Sequence, residues 1–312
     1  MRLRDCRIVF LGTPDFAVAI LKKLVDEQLQ VVGVVTAPDK PAGRGMKLSQ
    51  SAVKQFAVAH GLKVLQPVKL KDEEFLSELR ALKADVQVVV AFRMLPEIVW
   101  NMPAMGTINL HASLLPNYRG AAPINWAIIN GETETGITTF RLRHEIDTGD
   151  VLKRLAISIG SEETAGELHD RMKDLGADLV FDTLCAYCEE ELKPIPQTSI
   201  SEKGALPLAP KIVTETCRID WNQPVQRVFN QIRGLSPYPT SFTDINGKTL
   251  KIFKATWTSE LKLPPPGSFD TDGKSYLRFA ASDGWIYCQE VQLEGKKRLG
   301  IEEFLRGYRF TS

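Results

Sequence analysis

The chain has no apolar run approaching the ~20 residues that a membrane-spanning helix requires, so no membrane-embedded protein is expected. Cysteine does not occur in a pairable set. There are five, an odd number, at Cys6, Cys185, Cys188, Cys217 and Cys288. That suits a reducing cytosol better than a disulfide framework. Met1 to Cys6 runs straight into a short apolar strand instead of a long leader segment, so no secretory signal and a cytoplasmic protein are expected. The net charge is only +1, so nothing global calls for nucleic acid or a membrane surface. Histidine is scarce, with four in the chain, and none stands at zinc-ligand spacing to the Cys185-Ala186-Tyr187-Cys188 pair, so no metal is expected. The first strand-to-helix turn, Gly12-Thr13-Pro14-Asp15-Phe16, lacks the G-x-G-x-x-G spacing, which argues against a dinucleotide. There is no internal repeat and no long low-complexity stretch.

What is present describes an ordinary globular protein of two domains. Its 312 residues exceed what one core usually supports, and 44% are hydrophobic against 25% charged. Short apolar strands at 7–12, 31–35, 64–65, 86–91 and 107–111 alternate with helical patterns at 13–28, 51–60, 72–82 and 123–130. Alternation of this kind implies parallel crossovers and an α/β sheet. Segments 136–143 and 151–159 are rich in β-branched residues and suit an antiparallel edge. A single long helix is expected over 164–192. The pattern then changes: 193–210 is punctuated by proline and reads as a linker. A helix at 225–233 follows, then short strands separated by Asn246-Gly247, Asp272-Gly273 and Asp283-Gly284, and a last helix at 301–305. Such a series suggests a small β-barrel. The expected division is therefore 1–192, a linker at 193–210, and 211–312.

Charge is uneven. Lys40, Arg44, Lys47, Lys54, Lys63, Lys69 and Lys71 form a stretch without a carboxylate, and residues 201–312 carry sixteen basic against twelve acidic side chains. Pro41-Ala42-Gly43-Arg44-Gly45 is a loop by composition. A cationic loop can reach phosphates, and it can equally be solvated.

Chemistry is best concentrated at Asn109 and His111. Residues i and i+2 of a strand face the same way, so a carboxamide and an imidazole project together while Ile108 and Leu110 face the core. An amide donor beside an imidazole can hold a developing oxyanion and help move a proton. Asp147, in the polar turn Asp147-Thr148-Gly149-Asp150, is the candidate third member. The plainer reading is a pair of hydrogen-bonding core residues.

Asn109-x-His111, then Ser113-Leu114-Leu115-Pro116, Arg119-Gly120 and Asp147-Thr148-Gly149-Asp150, together resemble the folate-dependent formyltransferases. Pro41-Ala42-Gly43-Arg44-Gly45, Tyr118 to Ile124 and Ile219-Asp220-Trp221 extend the resemblance to members that act on a charged tRNA. The resemblance implies a Rossmann-like, mostly parallel catalytic domain followed by a small OB-like β-barrel that helps hold tRNA. It implies 10-formyltetrahydrofolate as formyl donor without a metal, and the acceptor stem and methionine α-amino group of initiator tRNA as acceptor. Asn109, His111 and Asp147 fall on the catalytic positions and Ser113, Leu114, Leu115 and Pro116 on the folate-contacting turn. Lys40, Arg44 and Lys47 fall on the acceptor-stem loop, with Lys248, Lys251 and Lys254 of the barrel as further phosphate contacts. A monomer is expected. The segment Ala91-Phe92-Arg93-Met94-Leu95-Pro96 departs from the usual pattern of the family, with Arg93 where glycine is common. Arg93 then either reaches a ligand or faces solvent. Rival readings are formyl transfer to another amine such as a nucleotide sugar, hydrolysis of formyl-folate, and RNA binding without catalysis.

Overall fold

The computed structural model describes residues 2–42, 47–200 and 205–308. They form two compact units. The first comprises residues 1–119, 136–157 and 169–207, and the second residues 120–135, 158–168 and 208–312. The second unit thus includes two segments, 120–135 and 158–168, that precede its main body in the chain.

A seven-stranded sheet organises the first unit. Its spatial order is Val151–Ser158, Glu134–Arg141, Thr107–His111, Val86–Val90, Arg7–Gly12, Gln30–Val35, Val64–Leu65. Strands from Thr107–His111 to Val64–Leu65 pair in parallel. Glu134–Arg141 pairs antiparallel to Thr107–His111. Every residue of Val86–Val90 is buried, as expected for a strand covered on both faces. The helix Glu73–Ala81 supplies Phe75, Leu76 and Leu79 to one core cluster, where they meet Val9, Leu11, Val35 and Val89. At Gly12 a Cβ would lie 2.7 Å from Ala17 Cβ and 3.2 Å from Val90 O, so the absent side chain lets the helix Asp15–Asp26 start hard against the sheet. The helix Ala52–Ala59 is capped by Ser51, whose Oγ accepts from Lys54 N at 3.0 Å.

One expectation changes. The long helix ends at Cys188, short of residue 192. Three carboxylates, Glu189, Glu190 and Glu191, follow immediately, unfavourable at a helix C-terminus, and Glu190 turns left-handed at φ 61°. The proline-punctuated stretch makes specific contacts. Ile195 bridges Val151, Gln197 is 3% exposed, and Pro207 O accepts from Tyr118 N at 2.7 Å. Proline marks a change of direction there, and the backbone still finds partners.

The second unit is a curled antiparallel sheet of the OB-like, half-barrel kind. Its order is Ser241–Ile245, Lys248–Ser259, Gly284–Leu293, Leu277–Ala280, Phe269–Thr271, with Leu299–Gly300 added beside Gly284–Leu293. Asn246 and Gly247 both take positive φ, 48° and 73°, the two-residue turn that matches strand twist. Register shifts at Ile252/Lys254 and Lys254/Ala255 bend the longest strand and curl the sheet. The helix Val225–Gly234 packs Val228, Phe229 and Ile232 into the core of this sheet. Trp221 stacks on Phe279 at 4.9 Å and donates from Nε1 to Thr243 Oγ1 at 2.9 Å.

Candidate active site

Thr107–His111 is hydrogen-bonded on both edges. Asn109 lies between Val89 and Phe140, and His111 opposite Thr138. Ile108 and Leu110 are 0% and 5% exposed, as the alternation requires. Asn109 is half-buried, and among the described residues its carboxamide has no hydrogen-bond partner. A rigid strand therefore presents a free amide donor.

His111 is 8% exposed. Its Nε2 lies 2.9 Å from Tyr118 O, an atom that can only accept, so Nε2 carries a proton. Its Nδ1 lies 3.8 Å from Asp147 Oδ2. That gap exceeds a hydrogen bond and suits a proton-carrying group between the two. Nδ1 is thus the ring atom free to give or take a moving proton.

Asp147 reaches this position from the wrong end of a strand. Leu142 N donates to Thr107 O at 2.8 Å, so the chain leaves Glu134–Arg141 beside the start of the strand that ends at His111. The following turn must climb about 13 Å, four residue steps at ~3.3 Å each from Thr107 to His111, to bring its carboxylate back. Several contacts hold the climb. Thr148 Oγ1 donates to Glu145 O at 3.0 Å, Arg141 N to Asp150 O at 2.9 Å, and Arg143 pairs with Asp150. At Gly149 a Cβ would fall 1.7 Å from Arg141 O, so only glycine permits this approach. Asp147 itself is left-handed, with φ 54°.

One residue of this site went unrecognised in the sequence. Gln197, inside the presumed linker, donates from Nε2 to Asp147 O and Gly149 O, both at 2.8 Å, and accepts from Arg119 at 3.0 and 2.5 Å. A glutamine between prolines in a linker carries no motif that would have flagged it. Alongside the same turn lies a cavity of about 600 Å³, lined by Trp100, Arg119, Arg143, His144, Thr148 and Gln197.

The turn after His111 is closed on itself. Ser113 Oγ donates to Asn117 O and Thr138 Oγ1 to Ser113 O, both at 2.6 Å, while Leu115 N donates to Thr138 Oγ1 at 3.1 Å. Ser113, Leu115 and Pro116 are buried and Leu114 half-buried; the Leu115-Pro116 bond is cis. The Ser113 hydroxyl is therefore committed to the turn, and Leu114 offers the accessible side chain. Arg93 is exposed, as the second expectation has it, and it is also engaged. Its guanidinium donates to Val68 O at 2.8 Å and to Pro67 O, tying the departing segment to a neighbouring loop.

Among the basic candidates, Lys40 is exposed in a short strand, Lys40–Ala42, that pairs with Lys47–Ser49. Arg44 lies outside the described residues. The base of this segment is anchored by Asp39, which takes Lys54 Nζ at 2.5 Å and Gln66 Nε2 at 2.8 Å. Lys54 first, then Gln66, holds the Asp39 carboxyl below the usual carboxylate range. One group of metal-ligating type does assemble among the described residues: Asp15, His169 and Asp170. Lys173 engages both carboxylates, at 4.0 and 2.9 Å. Of the Cys-x-x-Cys pair, Cys188 is buried against Cys6, whose thiol is pushed up by that contact and by burial.

Residues 6–184 match the formyl transferase family and residues 211–309 the formyl transferase C-terminal domain. Methionyl-tRNA formyltransferase of Bacteroides fragilis is 55% identical over 316 residues, covering 100% of this chain and 98% of that protein. The protein of the same name from Flavobacterium johnsoniae is 48% identical, covering 99% and 98%. Among solved structures, the N-formyltransferase from Helicobacter canadensis in complex with folinic acid and dTDP-3-aminofucose superposes with a TM-score of 0.69 at 20% identity, over 91% of this chain and 98% of that one. HypX from Aquifex aeolicus in complex with tetrahydrofolic acid gives a TM-score of 0.66 at 20% identity, over 98% of this chain. The chain spans about half the length of HypX, 48%. At such identity the two structures bear on the fold.

Proposed function

The chain belongs to the formyl transferase family, and on that premise we infer that it transfers a formyl group from 10-formyltetrahydrofolate to the methionine α-amino group of initiator methionyl-tRNA, for translation initiation. The observation that carries the reading is the convergence of Asn109, His111 and Asp147 in a chain matched end to end by enzymes named for that reaction.

Asn109 donates to the formyl oxygen as the amine attacks and the carbonyl becomes a tetrahedral oxyanion. The amine gains a bond to carbon and must lose a proton. The folate nitrogen must gain one before it can leave. His111 Nδ1 and Asp147 Oδ2 face each other across 3.8 Å and relay that proton. Tyr118 O holds the imidazole in the orientation the relay needs. The ring system of the donor occupies the cavity along the Asp147 turn, flanked by Trp100, Arg143 and His144. The Ser113–Pro116 turn bounds the site through Leu114 and its backbone.

Residues 1–192 form the catalytic domain, 193–210 connect, and 211–312 form the tRNA-binding domain. Lys40, Arg44 and Lys47 contact acceptor-stem phosphates, with barrel lysines such as Lys248 and Lys251 beyond them. All catalytic groups come from a single chain, so a monomer suffices. No helix among the described residues is long and apolar enough to cross a membrane. A charged tRNA as acceptor puts the reaction in the cytoplasm. Isotopically labelled formyl donor, offered with charged initiator tRNA, uncharged tRNA, a nucleotide amino sugar or no acceptor, tests the reading. Label should appear on charged tRNA alone. Label on the sugar, or release as formate without acceptor, would replace it with one of the rival reactions.

A further inference from the structure

We propose that Gln197 is the positioning residue for Asp147. The inference rests on the catalytic role given to Asp147 above.

Gln197 is 3% exposed, so water does not compete for its bonds. Both protons of its Nε2 go to carbonyls two residues apart, Asp147 O and Gly149 O, each at 2.8 Å. Its Oε1 takes two bonds from Arg119. Four of four hydrogen-bonding positions are used, and the arrangement works in one amide orientation only: two acceptors lie on one side and a guanidinium on the other. A carboxamide spanning alternate carbonyls fixes the turn between them, and Asp147, left-handed at φ 54°, stands at its head.

Arg119 follows Tyr118, whose carbonyl oxygen takes His111 Nε2. The imidazole and the carboxylate therefore hang from one short scaffold, Tyr118 and Arg119 on one side and Gln197 on the other. That scaffold sets the 3.8 Å between Nδ1 and Oδ2. Displacement of about 1 Å in such a pair can lower a rate by ~100-fold. Gln197 touches neither reacting atom. It acts through Asp147.

The test is a double-mutant cycle read by single-turnover formyl transfer to charged tRNA, with circular dichroism and melting temperature recorded alongside. Gln197→Ala should slow transfer by roughly 10- to 100-fold in the otherwise native chain. In an Asp147→Asn background it should cost less than about 3-fold, because the group it positions is already disabled. Gln197→Glu keeps the volume and the Arg119 acceptors but loses both donors, so it should be slowed like the alanine variant. Equal losses in the two backgrounds, or a folded Gln197→Ala or Gln197→Glu protein with native rate, would overturn the proposal. Should Gln197→Ala fail to fold, the isosteric Gln197→Glu carries the same cycle. An Asp147→Asn protein as fast as the native chain would instead sink the catalytic reading, and this inference with it.

Discussion

Asn109→Ala separates transition-state support from every other role this residue could have. Among the described residues the carboxamide has no hydrogen-bond partner, so truncation orphans none of them, and the backbone ladder to Val89 and Phe140 is untouched. At a half-buried strand position the stability change should stay within about 1 kcal/mol. The chemical effect should be much larger. A preorganised donor aimed at a developing oxyanion is worth roughly 2.7–4 kcal/mol. At 1.36 kcal/mol per decade that is about two to three orders of magnitude in the transfer step. Because the formyl oxygen is nearly neutral before attack, folate affinity should change by less than ~3-fold. Rapid-quench single-turnover kinetics with labelled donor and charged tRNA reads the first quantity, and equilibrium titration of the donor reads the second. A transfer rate within about 3-fold of native, in a protein with unchanged melting temperature, would refute the oxyanion assignment. A large fall in affinity matched by the fall in rate would make Asn109 a binding residue only.

Three further outcomes are expected. Gly149→Ala should lose more than ~2 kcal/mol in urea unfolding, and most of its activity, because the new Cβ would sit 1.7 Å from Arg141 O and the turn must part from the strand. Arg44→Ala should raise the tRNA Michaelis constant and reduce the slope of log affinity against log salt by about 1; an unchanged slope would remove Arg44 from the phosphate contacts. Asp39 has a depressed carboxyl pKa in the folded chain, so its contribution to stability is present above the unfolded value of about 3.9 and is lost as pH falls through the folded one. The stabilities of native and Asp39→Asn proteins should therefore differ at pH 7 and converge at the acid end, checked by urea melts at each pH.

The frame of the protein was legible because periodicity is a local property. The almost continuously apolar run at 86–91 announced a strand covered on both faces, and Asn246-Gly247 announced a turn between strands. The shared face of Asn109 and His111 follows from strand geometry alone. What escaped depends on hydrogen-bond partners that composition does not reveal, most of them distant in sequence. Ser113 looks available as a polar turn residue, and only the backbone of Asn117 shows it is taken. Arg93 is exposed, but its bonds to Pro67 O and Val68 O could not be read from its own segment. Gln197 joins Arg119 to Asp147 across stretches that no local pattern relates, in a segment whose composition says only that the chain bends.

The two halves of the reaction rest on supports of unequal strength. Asn109 and His111 belong to a strand with neighbours on both edges, in the middle of a sheet. Asp147 rides a loop outside the ladder, held by contacts that include the Gln197 amide, the close approach at Gly149 and the Arg143–Asp150 pair. Regions with fewer buried partners open first and at lower free energy than the body of a domain. Warming should therefore silence the proton shuttle while the sheet is still whole, and cooling should restore it without any refolding of the core.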